Sequence, residues 1–199
     1  MYEFFRKIVV LIWGKIKFRV NVLGRENIPA QKGGYIIACN HQRYSDPPLI
    51  ASQIKGRFSF MAKSELFEKN ALFTWLIKRC GAFPVSRGAG DTSAIDRAIS
   101  DIEKGKIFVI FPEGTRSKDG TLGRGKSGVA LIAAQANAPI LPVCIRYSKK
   151  GRKTDFAVGK LIPASEIAMN SDDRHELKRV TSLIMGNIQE LQDKIDAQS

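Results

Sequence analysis

YIIACNHQRYSDPPLIASQI, Tyr35 to Ile54, is the stretch that decides the reading of this chain. Its first five residues, Tyr35 to Cys39, have the length and apolar character of a strand buried on both faces. A polar block, NHQRYSD from Asn40 to Asp46, follows at once, and PPLIASQI then reads as a helix with prolines at its start. The same succession returns further on, where the apolar run IFVIF (Ile107 to Phe111) leads into FPEGTRS (Phe111 to Ser117). Both polar blocks therefore belong on loops at strand ends, the place where α/β sheets gather their chemistry.

Working outward, Arg57–Met61, Gly81–Ser86, Ile140–Tyr147 and Phe156–Leu161 read as further strands. Asp91–Lys104 reads as a helix with Ile95, Ala98, Ile99 and Ile102 on one face. Lys126–Ala138 is a small-residue helix ended by Pro139, and Ser171–Ala197 repeats Leu177, Val180, Ile184, Ile188, Leu191 and Ile195 at spacings of three and four. Strands alternating with helices predict an α/β fold with a mainly parallel central sheet flanked by helices, one domain over residues 1–199.

Two segments stand apart from that core pattern. In MYEFFRKIVVLIWGKIKFRV, residues 1–19 place Phe5, Ile8, Val9, Ile12, Trp13 and Ile16 on one helical face, with Glu3, Arg6, Lys7 and Lys17 opposite. The charge-free span from Ile8 to Gly14 is far short of the roughly 20 apolar residues a crossing helix needs. The pattern predicts a helix lying in a membrane interface in preference to a terminal helix packed on its own domain. Residues 64–79, with LFEKNALFTWLI (Leu66 to Ile77) closed by Lys78 and Arg79, suit the same boundary or a place in the core.

The net charge of +13, from 32 Lys and Arg against 19 Asp and Glu, calls for an anionic partner: acidic lipid, an acidic carrier protein or nucleic acid. Aromatics interleaved with basic residues, needed to stack bases, are sparse outside the two amphipathic segments, which argues against nucleic acid. Cys39, Cys80 and Cys144 are widely spaced in or beside apolar runs and read as reduced core residues; with only two histidines in the chain, no metal site is expected.

His41 and Asp46 have the spacing of a base and its orienter: the carboxylate accepts the Nδ1 proton and Nε2 faces a substrate hydroxyl. Asp46 before Pro47 also fits a helix cap. No serine lies in a GxSxG elbow, so direct attack by an activated alcohol is favoured over a covalent acyl-enzyme. In the second block Glu113, Gly114, Thr115 and Arg116 form a turn with a guanidinium beside exposed amides, a receptor for phosphate or else a solvated charged turn. Arg87, closing GAFPVSR, has the position to reach the same edge; Lys63 and Lys126 are weaker candidates for the same anion.

At these residues the sequence resembles the glycerolipid acyltransferase family, most closely its bacterial 1-acyl-sn-glycerol-3-phosphate (lysophosphatidate) branch. NHQRYSD carries the NHxxxxD block, KSEL (Lys63 to Leu66) an accessory block, GAFPVSR the Gly-to-Arg block, FPEGTRS its namesake without substitution, and ILPVCI (Ile140 to Ile145) the proline-containing block. The resemblance implies a His41 and Asp46 dyad, with Arg87, Glu113, Gly114, Thr115 and Arg116 holding the glycerol phosphate of the acceptor. It implies no cofactor and no metal, an acyl-ACP or acyl-CoA thioester as co-substrate, lysophosphatidate as acceptor, and a monotopic or peripheral place on the cytoplasmic face of the cell membrane. Acylation of glycerol 3-phosphate or another lysolipid uses the same blocks. A non-catalytic basic lipid- or nucleic-acid-binding module accounts for the charge but leaves the His and Asp pair unused.

Overall fold

The computed structural model describes residues 18–31, 33–68, 70–85, 92–148, 153–169 and 173–198. Seven strands form one sheet: β1 (Arg19–Leu23), β2 (Tyr35–Cys39), β3 (Phe58–Lys63), β4 (Ala82–Val85), β5 (Ile107–Ile110), β6 (Ile140–Tyr147) and β7 (Lys153–Val158), in the order β1-β7-β6-β2-β5-β3-β4. The helices are α1 (Asp46–Gln53), α2 (Ala71–Arg79), α3 (Thr92–Glu103), α4 (Gly128–Gln135), the single turn α5 (Ala164–Ile167) and α6 (Arg174–Asp196).

β2 pairs in parallel with β5 on one side and β6 on the other, so the loops leaving β2 and β5 emerge side by side. β3 and β4 continue the parallel run. The mainly parallel sheet expected from the sequence is thus present, with one reversal: β7 runs antiparallel to β6, because the five residues between Tyr147 and Lys153 are too few for a crossover. Ser148 N–H donates to Lys153 C=O at 3.1 Å and closes that hairpin, which also moves the last strand earlier than the expected Phe156–Leu161.

Side chains alternate across β2 as the pleat requires. Tyr35, Ile37 and Cys39 join Val143, Ile145, Leu49 and Ile50 on the face covered by α1. Ile36 and Ala38 join Phe108, Ala98, Ile102, Ile132, Val180, Ile184 and Ile188 on the face covered by α3, α4 and α6. Val180, Ile184, Ile188, Leu191 and Ile195 of the predicted stripe are all buried, so the period read from sequence is the packing face of α6. Asp173 starts that helix by accepting from the amides of His175 and Glu176 at 2.7 and 3.4 Å.

The expected interface helix over residues 1–19 falls outside the described residues as far as position 17, and its end is corrected. Phe18 is buried with its ring 5.4 Å from that of Tyr147, and Arg19 opens β1, whose Val20 and Val22 pack on the α1 face. The alternation in RVNVL is that of an edge strand. Within residues 64–79, Ser64–Leu66 forms a 3-10 turn, and α2 starts at Ala71 because Asn70 Oδ1 accepts from the amides of Leu72 and Phe73. No residue of α2 is buried, and Leu72, Phe73, Trp75 and Leu76 are exposed. Among the described residues no helix is long and apolar enough to cross a membrane.

Candidate active site

The polar loop after β2 is locked to the sheet before it departs. Asn40, 3% exposed, accepts from Ile145 N–H at 2.7 Å and donates to Ile145 C=O at 2.9 Å, so its side-chain amide continues the ladder where the backbone leaves it. His41 is held next. Its N–H donates to Glu113 Oε1 at 2.8 Å, its C=O accepts from Ser117 N–H at 2.8 Å, and its imidazole stacks on Phe111 with centroids 4.0 Å apart. The loop after β5 therefore fixes both the backbone and the ring plane of His41.

Asp46 lies at the start of α1 with no exposed surface. Its Oδ2 accepts from His41 Nδ1 at 2.7 Å and from the amides of Gln42 and Arg43 at 2.7 and 2.9 Å; its Oδ1 accepts from Tyr147 O–H at 2.7 Å. The helix-cap reading is corrected by this geometry: the carboxylate turns back onto the amides of Gln42 and Arg43, four and three residues earlier, and serves no amide of the helix itself. Charge-assisted hydrogen bonds of this kind contribute about 1.5–3 kcal/mol each. They offset the cost of burying the anion. With Asp46 an acceptor only, the imidazole proton belongs on Nδ1 and the lone pair on Nε2. The His41 side chain is 18% exposed, so the ring is partly open to solvent.

The turn after β5 is built to come close. Gly114 has φ of 66°, its N–H donates to Phe111 C=O at 2.9 Å, and the Lys126 ammonium sits 2.9 Å from where a β-carbon would stand. Lys126 is thereby brought onto the turn, which sequence spacing alone ranked low. Glu113, 5% exposed, has both oxygens engaged, Oε1 by His41 N–H and Oε2 by Gly123 N–H at 2.8 Å; it ties two loops together. Thr115 and Arg116 are exposed at the tip. The Arg116 guanidinium lies 3.7 Å over the Tyr44 ring and donates to its hydroxyl at 3.1 Å, which parks a cation beside the His41 loop.

Not every sequence candidate joins this cluster. Lys63 ends β3, half exposed, and pairs with Glu65. Arg87 lies outside the described residues. Cys39, beside the base in sequence, is fully buried, and burial together with the nearby Asp46 charge pushes its thiol well above the ordinary range, which removes it as a nucleophile. Tyr147 and Tyr44 also meet these residues, and the sequence does not single them out: Tyr147 reads as part of a strand and Tyr44 as the interior of a motif, and nothing local in either stretch announces a partner so far along the chain.

The buried carboxylate at the start of α1, the imidazole bonded to it and the turn that carries Arg116 come from the motif blocks read in the sequence, and the acyltransferase family signature matches residues 19–146. The chain belongs to the acyltransferase family. An acyltransferase of similar sequence is the 1-acyl-sn-glycerol-3-phosphate acyltransferase of Streptococcus pneumoniae (strain ATCC BAA-255 / R6), 32% identical over 97% of this chain and 74% of that protein. The 1-acyl-sn-glycerol-3-phosphate acyltransferase of Bacillus subtilis (strain 168) is 30% identical over 98% of this chain and 99% of that protein. The crystal structure of the 1-acyl-sn-glycerophosphate (LPA) acyltransferase from Thermotoga maritima superposes with a TM-score of 0.72 at 26% identity, covering 96% of this chain and 79% of that one. The matched span takes in His41, Asp46 and the whole 111–117 turn, so the acyltransferase assignment covers the same residues that the geometry brings together.

Proposed function

We propose that this acyltransferase moves a fatty acyl chain from a thioester, on acyl carrier protein or coenzyme A, to the sn-2 hydroxyl of 1-acyl-sn-glycerol 3-phosphate, giving phosphatidate for phospholipid synthesis. The observation that carries the reading is the 2.7 Å bond between His41 Nδ1 and a fully buried Asp46, which leaves Nε2 as a base at the sheet edge. His41 Nε2 takes the proton of the lipid hydroxyl as its oxygen attacks the thioester carbonyl. The tetrahedral intermediate collapses, the carbon–sulfur bond breaks, and the departing sulfur takes the proton from the imidazolium. General-base help of this kind is worth roughly 10²–10⁴ in rate.

Arg116 and Lys126 supply the charge for the acceptor phosphate, with Arg87 as a further contributor, while Glu113 keeps the loops in register. The connection from β3 to α2 begins at the same sheet edge as the His41 loop, and the exposed Leu72, Phe73, Trp75 and Leu76 with Lys78 and Arg79 suit the lipid headgroup boundary. Residues 1–17 are the other interface element, giving one acyltransferase domain peripheral to the cytoplasmic face of the membrane.

The test crosses acyl carrier protein and coenzyme A thioesters with lysophosphatidate, glycerol 3-phosphate and a lysolipid lacking the phosphomonoester. Phosphatidate formation dominated by lysophosphatidate is expected. Faster acylation of either other acceptor would move the assignment to that lipid.

A further inference from the structure

Tyr147 closes β6, 101 residues from Asp46 along the chain. It reaches the site because β6 outruns its partner strand: the β2 register ends at Cys39 opposite Val143, and Asn40 then clamps onto Ile145. Alternation past Val143 and Ile145 sends Tyr147 to the α1 face, where its ring packs against Phe18 and under the Arg43 guanidinium, 4.2 Å from its centroid. The division of donors on Asp46 is uneven. Three groups share Oδ2, including His41 Nδ1, whereas among the described residues Tyr147 O–H alone serves Oδ1, at 2.7 Å.

We propose that Tyr147 is a positioning residue for the His41–Asp46 pair, its hydroxyl fixing the second carboxylate oxygen and setting how strongly Asp46 draws on the imidazole. The residue lies one position beyond the matched family span. Its proton is not for transfer: burial first, then the charge and hydrogen bond of Asp46, hold the phenol far above its ordinary range, so it remains a donor at every working pH. Carboxylate charge shared with a phenol is charge withheld from His41. With the phenol removed, more of it falls on the imidazole and favours the imidazolium, which is useless as a base. The other polar or charged neighbours are the Cys39 thiol, Arg43 above the Tyr147 ring and Glu113 at the His41 amide; Phe111 covers the ring face. A Tyr147→Phe change leaves all of them in place.

The proposal rests on His41 as the base, so its test carries a readout that needs no turnover. In Tyr147→Phe the acid limb of the kcat/KM profile for lysophosphatidate moves to higher pH by about half a unit to one unit, the loss of one hydrogen bond read on the proton equilibrium. The titration of His41, followed by NMR in a chain with two histidines, moves the same way whether or not acyl transfer is observed. Site-specific 3-fluorotyrosine at position 147 keeps the shape, strengthens the donor and shifts both midpoints to lower pH; it serves equally if Tyr147→Phe folds poorly. Midpoints that stay with wild type in the folded variants, even with a lowered melting temperature, would reduce Tyr147 to packing. A shifted NMR titration without acyl transfer in the wild type would keep Tyr147 and overturn the base assignment.

Discussion

Asp46 and Asp101 are both buried carboxylates at the edges of one sheet, Asp46 where the parallel strands end and Asp101 near where they begin. Asp101 accepts from Ser59 Oγ and Lys106 Nζ, each at 2.6 Å, and from Arg97 Nε at 3.2 Å. Two cations and a hydroxyl end on it, and what it gives is cohesion between α3, β3 and the approach to β5. Asp46 takes two amides, a phenol and an imidazole. Only the imidazole has a second nitrogen, on a ring that is 18% exposed. A buried anion acts beyond its own position when one of its partners has chemistry left to do.

The comparison breaks if the two aspartates respond alike to neutralisation. Asp46→Asn removes the acceptor that fixes the imidazole tautomer, and acyl-transfer kcat/KM falls by roughly 10²–10⁴. Asp101→Asn leaves kcat/KM near wild type in the same assay; a comparable loss there would erase the distinction. On the acceptor side, Arg116→Ala loses a guanidinium contact to phosphate worth about 1.5–3 kcal/mol, raising KM for lysophosphatidate by roughly 10- to 100-fold with kcat less affected. An unchanged KM would take Arg116 out of the phosphate site.

Asp101→Asn is read instead in stability, with a melting temperature lower by about 2–10 °C at neutral pH from about 1–3 kcal/mol of lost pairing. Burial alone raises this carboxyl; hydrogen bonds from Lys106, Ser59 and Arg97 outweigh it and leave its folded-state value lowered. A lowered value stabilises the fold fully above the unfolded carboxylate value, about pH 4, and that stability is lost as acid takes the pH down through the folded one. The gap between wild type and Asp101→Asn therefore narrows below about pH 4, and a gap constant with pH would deny the ion pairs their part. The smallest effect concerns α2: Leu72→Ser with Trp75→Ser weakens co-sedimentation with anionic vesicles several-fold, and deletion of residues 1–17 weakens it further. Undiminished sedimentation in both would place the lipid contact elsewhere.

The sheet and the loop positions of His41 and Asp46 were legible because an apolar run meeting a polar block is a local signal, carried by Tyr35–Asp46 and Ile107–Ser117 themselves. β1 was not, since RVNVL follows directly on a segment with helical spacing and only pairing with β7 makes it a strand. Tyr147 joins Asp46 across 101 residues, a distance over which periodicity carries no information. Glu113 and Lys126 read in sequence as charges near a phosphate turn. Whether an oxygen goes to substrate or to Gly123 N–H is decided by how the 120–126 loop folds back, which the chain order does not encode.

The central claim, that the free nitrogen of His41 removes the proton of the lipid hydroxyl, is tested most directly by the acyl-transfer rate of His41→Ala with a saturating thioester and lysophosphatidate in vesicles. A loss of roughly 10²–10⁴ with lysophosphatidate binding retained is the result the geometry predicts. A rate near wild type would contradict it.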